Sequence, residues 1–88
     1  MKTTHVVVDV TIPKAIGDSK SLSLENNSTV MDVIKNLNQP MLVKKIMESD
    51  SEFNQFVLIY LNNQRIKDPS ICLTMDSSIE IIIPMAGG

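Results

Sequence analysis

The chain has 88 residues, enough for one domain around a single core, because a chain of this size buries only roughly two-thirds of its unfolded surface. Eight Lys+Arg against ten Asp+Glu leave a net charge of -2, without the electrostatic footprint of a protein that binds nucleic acid or an anionic membrane. The single cysteine, Cys72, excludes an intramolecular disulfide and a cysteine-based zinc cluster. With an N-terminal stretch that lacks a secretion-signal pattern, it points to a cytoplasmic protein.

From His5 the chain alternates, Val6, Val8, Val10 and Ile12 on one face and His5, Val7, Asp9 and Thr11 on the other, which predicts a half-buried strand ended by Pro13. Leu22 and Leu24, set between Ser21, Ser23 and Glu25, predict a hairpin partner. Thr29 precedes a helix start, its hydroxyl placed to accept orphan N–H groups while Asp32 complements the positive end of the dipole. Val30, Val33, Ile34 and Leu37 then follow at i, i+3, i+4, i+7 spacing and present one apolar stripe. Pro40 is welcome in a first helical turn and costly inside a helix, so a break is expected at Asn38-Gln39. A second helical piece follows, carrying Met41, Leu42, Val43 and Ile46 and leaving through Ser49-Asp50-Ser51.

Phe56 to Leu61 is apolar on both faces and short, as in a central strand, and Asn62-Asn63 supplies the turn after it. Arg65-Ile66-Lys67 reads as a short pairing segment, Asp68-Pro69-Ser70 as a turn and Leu73 as a core plug. Asp76-Ser77-Ser78 leads into a last strand, Ile79 to Ile83, with Ile79, Ile81 and Ile83 inward and Ile82 on the opposite face as a candidate partner contact. This order predicts an α+β domain over residues 1–83, with a mixed sheet of four to five strands, one main helix and a short second helical piece. Residues 84–88 form an extended tail.

The element order resembles the β-grasp, ubiquitin-like fold, and within it the sulfur-carrier family typified by the small subunit of molybdopterin synthase and its thiamin-pathway relative. Leu61-Asn62 is similar to the family's Val-Asn before a hairpin turn. Leu73 through Ile79 is similar to its leucine, acidic turn and strand start, and Pro84-Met85-Ala86-Gly87-Gly88 to its Pro-Pro-Val-Ala/Ser-Gly-Gly ending. The chain departs from that pattern at Asn63 and at Asp76-Ser77, where the family has glycine and Gly-Asp, and at Ile83, which replaces the first of two prolines.

The tail has chemistry of its own. Two final glycines arise by chance in roughly 0.5% of chains at average glycine usage. Without a Cβ, Gly87 and Gly88 can thread a slot that a side chain would block. Pro84 fixes its own φ and holds Ile83 extended, projecting Met85, Ala86 and the glycines away from the sheet. The reactive group is then the Gly88 carboxylate, which is inert until activated.

The resemblance implies that an adenylating enzyme of the ubiquitin-activating type, using ATP and Mg²⁺, adenylates Gly88, and that a sulfur nucleophile displaces AMP to leave a thiocarboxylate. It implies that the tail, Pro84 to Gly87, enters a partner similar to the molybdopterin synthase large subunit. The same activated Gly88 also fits an isopeptide bond to lysines of target proteins, and an interaction module without an activated tail is a third reading.

No catalytic residue and no metal ligand is assigned. His5 is the sole histidine and reads as a solvated strand residue, and no phosphate loop or metal-ligand spacing occurs. Cys72, between Ile71 and Leu73, reads as a small buried apolar residue, and the methionines as fillers of core gaps, Met85 excepted. Lys44-Lys45 reads as the solvated face of the second helical piece, able also to serve as a docking contact or isopeptide acceptor.

Overall fold

Alternation in the first strand decides which side of the sheet is dry. The computed structural model describes residues 5–49 and 51–84. In β1 (His5–Thr11) Val6, Val8 and Val10 are buried while the odd-numbered residues are exposed. β2 (Lys20–Glu25) pairs with it antiparallel, Val8 facing Leu22 and Val6 facing Leu24. The connection is pinned by Ser19, whose Oγ accepts the Ile12 N–H at 2.8 Å and donates to the Ile12 carbonyl at 3.3 Å.

After β3 (Ser28–Thr29), Thr29 caps α1 (Val30–Asn36) through a reciprocal pair of bonds. Its Oγ1 accepts the Asp32 N–H at 3.1 Å and Asp32 Oδ2 accepts the Thr29 N–H at 2.9 Å. The helix ends at Leu37, whose carbonyl accepts Lys20 Nζ at 3.1 Å, a cation placed at the negative end of the dipole. Asn38 then takes a positive φ of 56°, which asparagine tolerates, and α2 (Pro40–Ile46) starts with proline in its first turn.

β4 (Met47–Ser49) and β5 (Glu52–Phe53) form a small hairpin, and β6 (Leu58–Leu61) turns through Asn62-Asn63, both at positive φ, into β7 (Gln64–Ile66). β8 (Cys72–Leu73) pairs with β3, and β9 (Ser77–Ile82) completes a five-stranded sheet in the order β2-β1-β9-β6-β7. β9 is its centre, parallel to β1 and antiparallel to β6. The two helices lay Val33, Ile34, Leu37, Leu42 and Ile46 into one core with Val8, Ile59, Ile79 and Ile81, all 1% exposed or less.

The element order, the helix break and the mixed sheet agree with expectation; several residues do not. Cys72 is exposed, because in a two-residue strand alternation sends Leu73 inward and its neighbour out. Met41 is 67% exposed, since Leu42 and Ile46 at i, i+4 define the inner face of α2 and Met41 lies beside it. Met75 is 64% exposed and Met31 is half-buried outside the core cluster, so among the described methionines only Met47, half-buried and packed against the core, acts as a filler. Phe56 is 70% exposed and lies before β6: the Val57 N–H bonds back to the Asn54 carbonyl at 3.0 Å and the Phe56 N–H to Asn54 Oδ1 at 2.9 Å, so a turn occupies the expected start of the strand. Of the exit expected at residues 49–51, Ser49 closes β4 and Ser51 precedes β5, and Asp50 lies outside the described residues. The last strand begins at Ser77 and ends at Ile82, leaving Ile83 just beyond it.

Candidate functional site: the root of the tail

Of the expected site residues, Met85, Ala86, Gly87 and Gly88 lie outside the described residues. Ile82, Ile83 and Pro84 are described, and they form the root from which the tail departs. Ile79 and Ile81 are 1% exposed, so β9 turns its odd residues to the core and Ser78, Glu80 and Ile82 to the opposite, outer face. Ile83 packs half-buried against the core, and Pro84 is exposed.

Ile82 does not stand alone. Leu58 lies directly across from it on β6, and Tyr60 lies across from Glu80 on one side and from Arg65 of β7 on the other. Leu58, Tyr60 and Ile82 are half-buried, and the exposed Phe56 precedes β6 at the end of the sheet where β9 leaves. The outer face therefore carries an apolar ridge beside the tail, edged by Glu80 and Arg65. Sequence reasoning named only Ile82. Its partners were signalled by the Phe56–Leu61 run, too apolar for a strand with one fully solvated face, but which members face outward depends on a register the sequence does not display.

β9 is paired on both sides, and Asn62 fixes which residues face which neighbour. Asn62 donates its N–H to the Ser78 carbonyl at 2.9 Å and its Oδ1 accepts the Ser78 N–H at 2.9 Å, which places the hydrogen-bonding groups of Ser78, Glu80 and Ile82 on the β6 side. Those of Ile79, Ile81 and Ile83 face the β1 side. At its other end β9 is tied in by Asp76, whose Oδ1 accepts the Val7 N–H at 2.8 Å.

No other cluster competes as a reaction centre among the described residues. No group of three His, Cys, Asp or Glu side chains could hold a metal ion there, and no helix is long and apolar enough to cross a membrane. An open cleft of about 260 Å³ beside β7 is lined by Glu52, Phe53, Val57, Arg65, Ile66 and Lys67, and its charged members are all exposed. Asp68 has a distinct acidity: the hydroxyl of Ser70, donating at 2.6 Å, and the Ser70 N–H at 2.9 Å hold its carboxyl below the ordinary value.

No protein-family model matches the chain, and no curated protein matches it. Solved structures do. The solution structure of the Haloferax volcanii HVO 2177 protein superposes with a TM-score of 0.76 at 16% identity, covering 100% of this chain and 92% of that one. The crystal structure of SAMP1 from Haloferax volcanii superposes with a TM-score of 0.73 at 15% identity, covering 93% of this chain and 99% of that one. The fold is the ubiquitin-like β-grasp. In this β-grasp the last strand is central, so the strand that leads into the tail root is held by β1 on one side and β6 on the other.

Proposed function

We propose that this protein is a sulfur carrier that works through Gly88 and performs no chemistry of its own. An adenylating enzyme of the ubiquitin-activating type would join the Gly88 carboxylate to AMP, consuming ATP with Mg²⁺ and releasing pyrophosphate. Sulfide then attacks the carbonyl carbon; the bond to the AMP oxygen breaks, AMP leaves and a thiocarboxylate remains. When the donor is a persulfide, a second thiol must cleave the resulting acyl disulfide. A partner similar to the molybdopterin synthase large subunit would receive the tail, Pro84 to Gly88, and take the sulfur for molybdenum cofactor synthesis.

One observation carries this reading: the Pro-Met-Ala-Gly-Gly sequence begins one residue after the central strand of the sheet, at an end bordered by the apolar ridge of Leu58, Tyr60 and Ile82. A ridge beside the tail gives an enzyme something to hold while the tail enters its active site. Intact mass spectrometry of the protein from its native cells tests the reading. The expected species ends at Gly88 with one oxygen replaced by sulfur. Gly-Gly remnants on lysines of other proteins, with no sulfur-bearing form, would instead make the chain a protein modifier.

A further inference from the structure

The two edges of the sheet are finished in different ways. At one, β7 is three residues long and carries the exposed cation Arg65, with exposed Lys67 just after it, features that keep an edge from pairing. At the other, β2 runs for six residues in unbroken register with β1, without proline or bulge. Its one cation, Lys20, is drawn away to the Leu37 carbonyl at 3.1 Å.

Which backbone groups this edge offers follows from the strand beside it. The Val7 N–H reaches Asp76, just ahead of β9, so the odd residues of β1 direct their hydrogen bonds towards β9 and the even ones towards β2. The Ile12 N–H, bonded to Ser19 Oγ on the β2 side, agrees. Val6, Val8 and Val10 are therefore matched by Leu24, Leu22 and Lys20, which leaves the N–H and carbonyl groups of Ser21, Ser23 and Glu25 pointing outwards. All three residues are exposed, and no strand lies beside them among the described residues.

We infer that this edge pairs with the same edge of a second copy, antiparallel about a two-fold axis through Ser23, to make one continuous sheet. Symmetry and charge select that centre. The backbone groups of Leu22 and Leu24 are spent on β1, so neither can lie on the axis. Centring on Glu25 would set two carboxylates opposite each other, and centring on Ser21 would set Glu25 opposite Gly17, outside the strand. About Ser23, Ser21 meets Glu25 of the second copy, Ser23 meets Ser23 and Glu25 meets Ser21, each pair exchanging both backbone bonds. Leu22, half-buried in the single chain, then packs against Leu24 of the second copy, and no like charges face each other. The axis sets the two tail roots at opposite ends of the joined sheet, and the pairing does not depend on the chemistry of Gly88.

A contact one strand wide is smaller than a standard stable interface, so the full chain should associate at about 0.1 to 1 mM, read by sedimentation equilibrium. Over that range the amides of Ser21, Ser23 and Glu25 slow in hydrogen exchange by about threefold or more. Ser23→Pro removes an outward donor and none that serves β1; it keeps the native circular dichroism and weakens association by about tenfold or more. Ser23→Thr, which keeps the donor, associates as the wild type does. In a Cys72→Ser background, Ser23→Cys faces its own copy at about 5.5 Å between Cα atoms, within disulfide reach, and oxidises to a covalent dimer about tenfold or more faster than Ser21→Cys, which faces Glu25. A monomer throughout the range, association unchanged in Ser23→Pro, or equal crosslinking of the two cysteine variants overturns the pairing. Protection of the three amides only when the adenylating enzyme is added gives the edge to a foreign strand and overturns it as well.

Discussion

Gln39 shows how much a single side chain can organise. Its Oε1 accepts the Asp18 N–H at 3.0 Å and its Nε2 donates to the Asp18 carbonyl at 3.1 Å, clamping the β1–β2 connection to the junction between the helices. Gly17 lies so close that an added Cβ would stand 2.5 Å from Gln39 Oε1 and 3.2 Å from Ile12 Cγ2. Gly17→Ala should therefore act by displacing Gln39. We expect Gly17→Ala and Gln39→Ala each to cost about 1–2 kcal/mol in urea unfolding, and the double variant to cost clearly less than their sum. Asp68 makes a second residue-scale prediction. Its carboxylate is favoured in the folded state by Ser70, so its contribution is present above the ordinary value of 3.8 and is lost as pH falls through the lower folded value. Asp68→Asn should flatten that part of the acid-unfolding curve, and carbon NMR of Asp68 should give a midpoint below that of a free aspartate. Errors of sequence reading also sit at this scale. Cys72 and Met41 are apolar in type and flanked by core residues, yet inside or outside was decided by a two-residue pairing and by one step around a seven-residue helix. Hydrophobicity alone does not encode such choices.

At the scale of elements, the long signals were readable and the short ones were not. β1 repeats its alternation over seven residues, and α1 combines a capping pair with four apolar positions, so both could be inferred from the chain. β3, β5 and β8 have two residues each, a single period that cannot repeat, and exist because a neighbouring backbone meets them. The β6–β7 turn lies between these cases. Asn62 and Asn63 have φ of 49° and 70°, values at which glycine is unstrained, but Asn62 also holds Ser78 through its side chain. Asn63→Gly should raise stability by about 0.5 kcal/mol, and Asn62→Gly should lower it by about 1 kcal/mol because the Ser78 bond is lost, both measured by chemical denaturation.

For the molecule as a whole, the proposed function implies that body and tail can be perturbed separately. Removing Gly87-Gly88 should leave the urea midpoint of the folded body unchanged and abolish pyrophosphate exchange with the adenylating enzyme. Ile82→Asp, on the ridge, should keep the circular dichroism of the native protein and weaken binding to that enzyme by about tenfold or more, as expected for a desolvated apolar contact exchanged for a charge. Of the tail, only Pro84 lies among the described residues, and it is exposed, in keeping with the expectation of a chain leaving the sheet there. The ridge was not legible: it arises from the pairing of residues distant in the chain, Leu58 with Ile82.

The central position of β9 has a mechanical corollary. An enzyme that draws the tail inward pulls along a strand gripped on both flanks, so the load is shared by bonds to β1 and β6 acting together in shear, and none can peel away one at a time. On the proposed carrier reading, this arrangement would let the tail be tugged, threaded and released with the body intact.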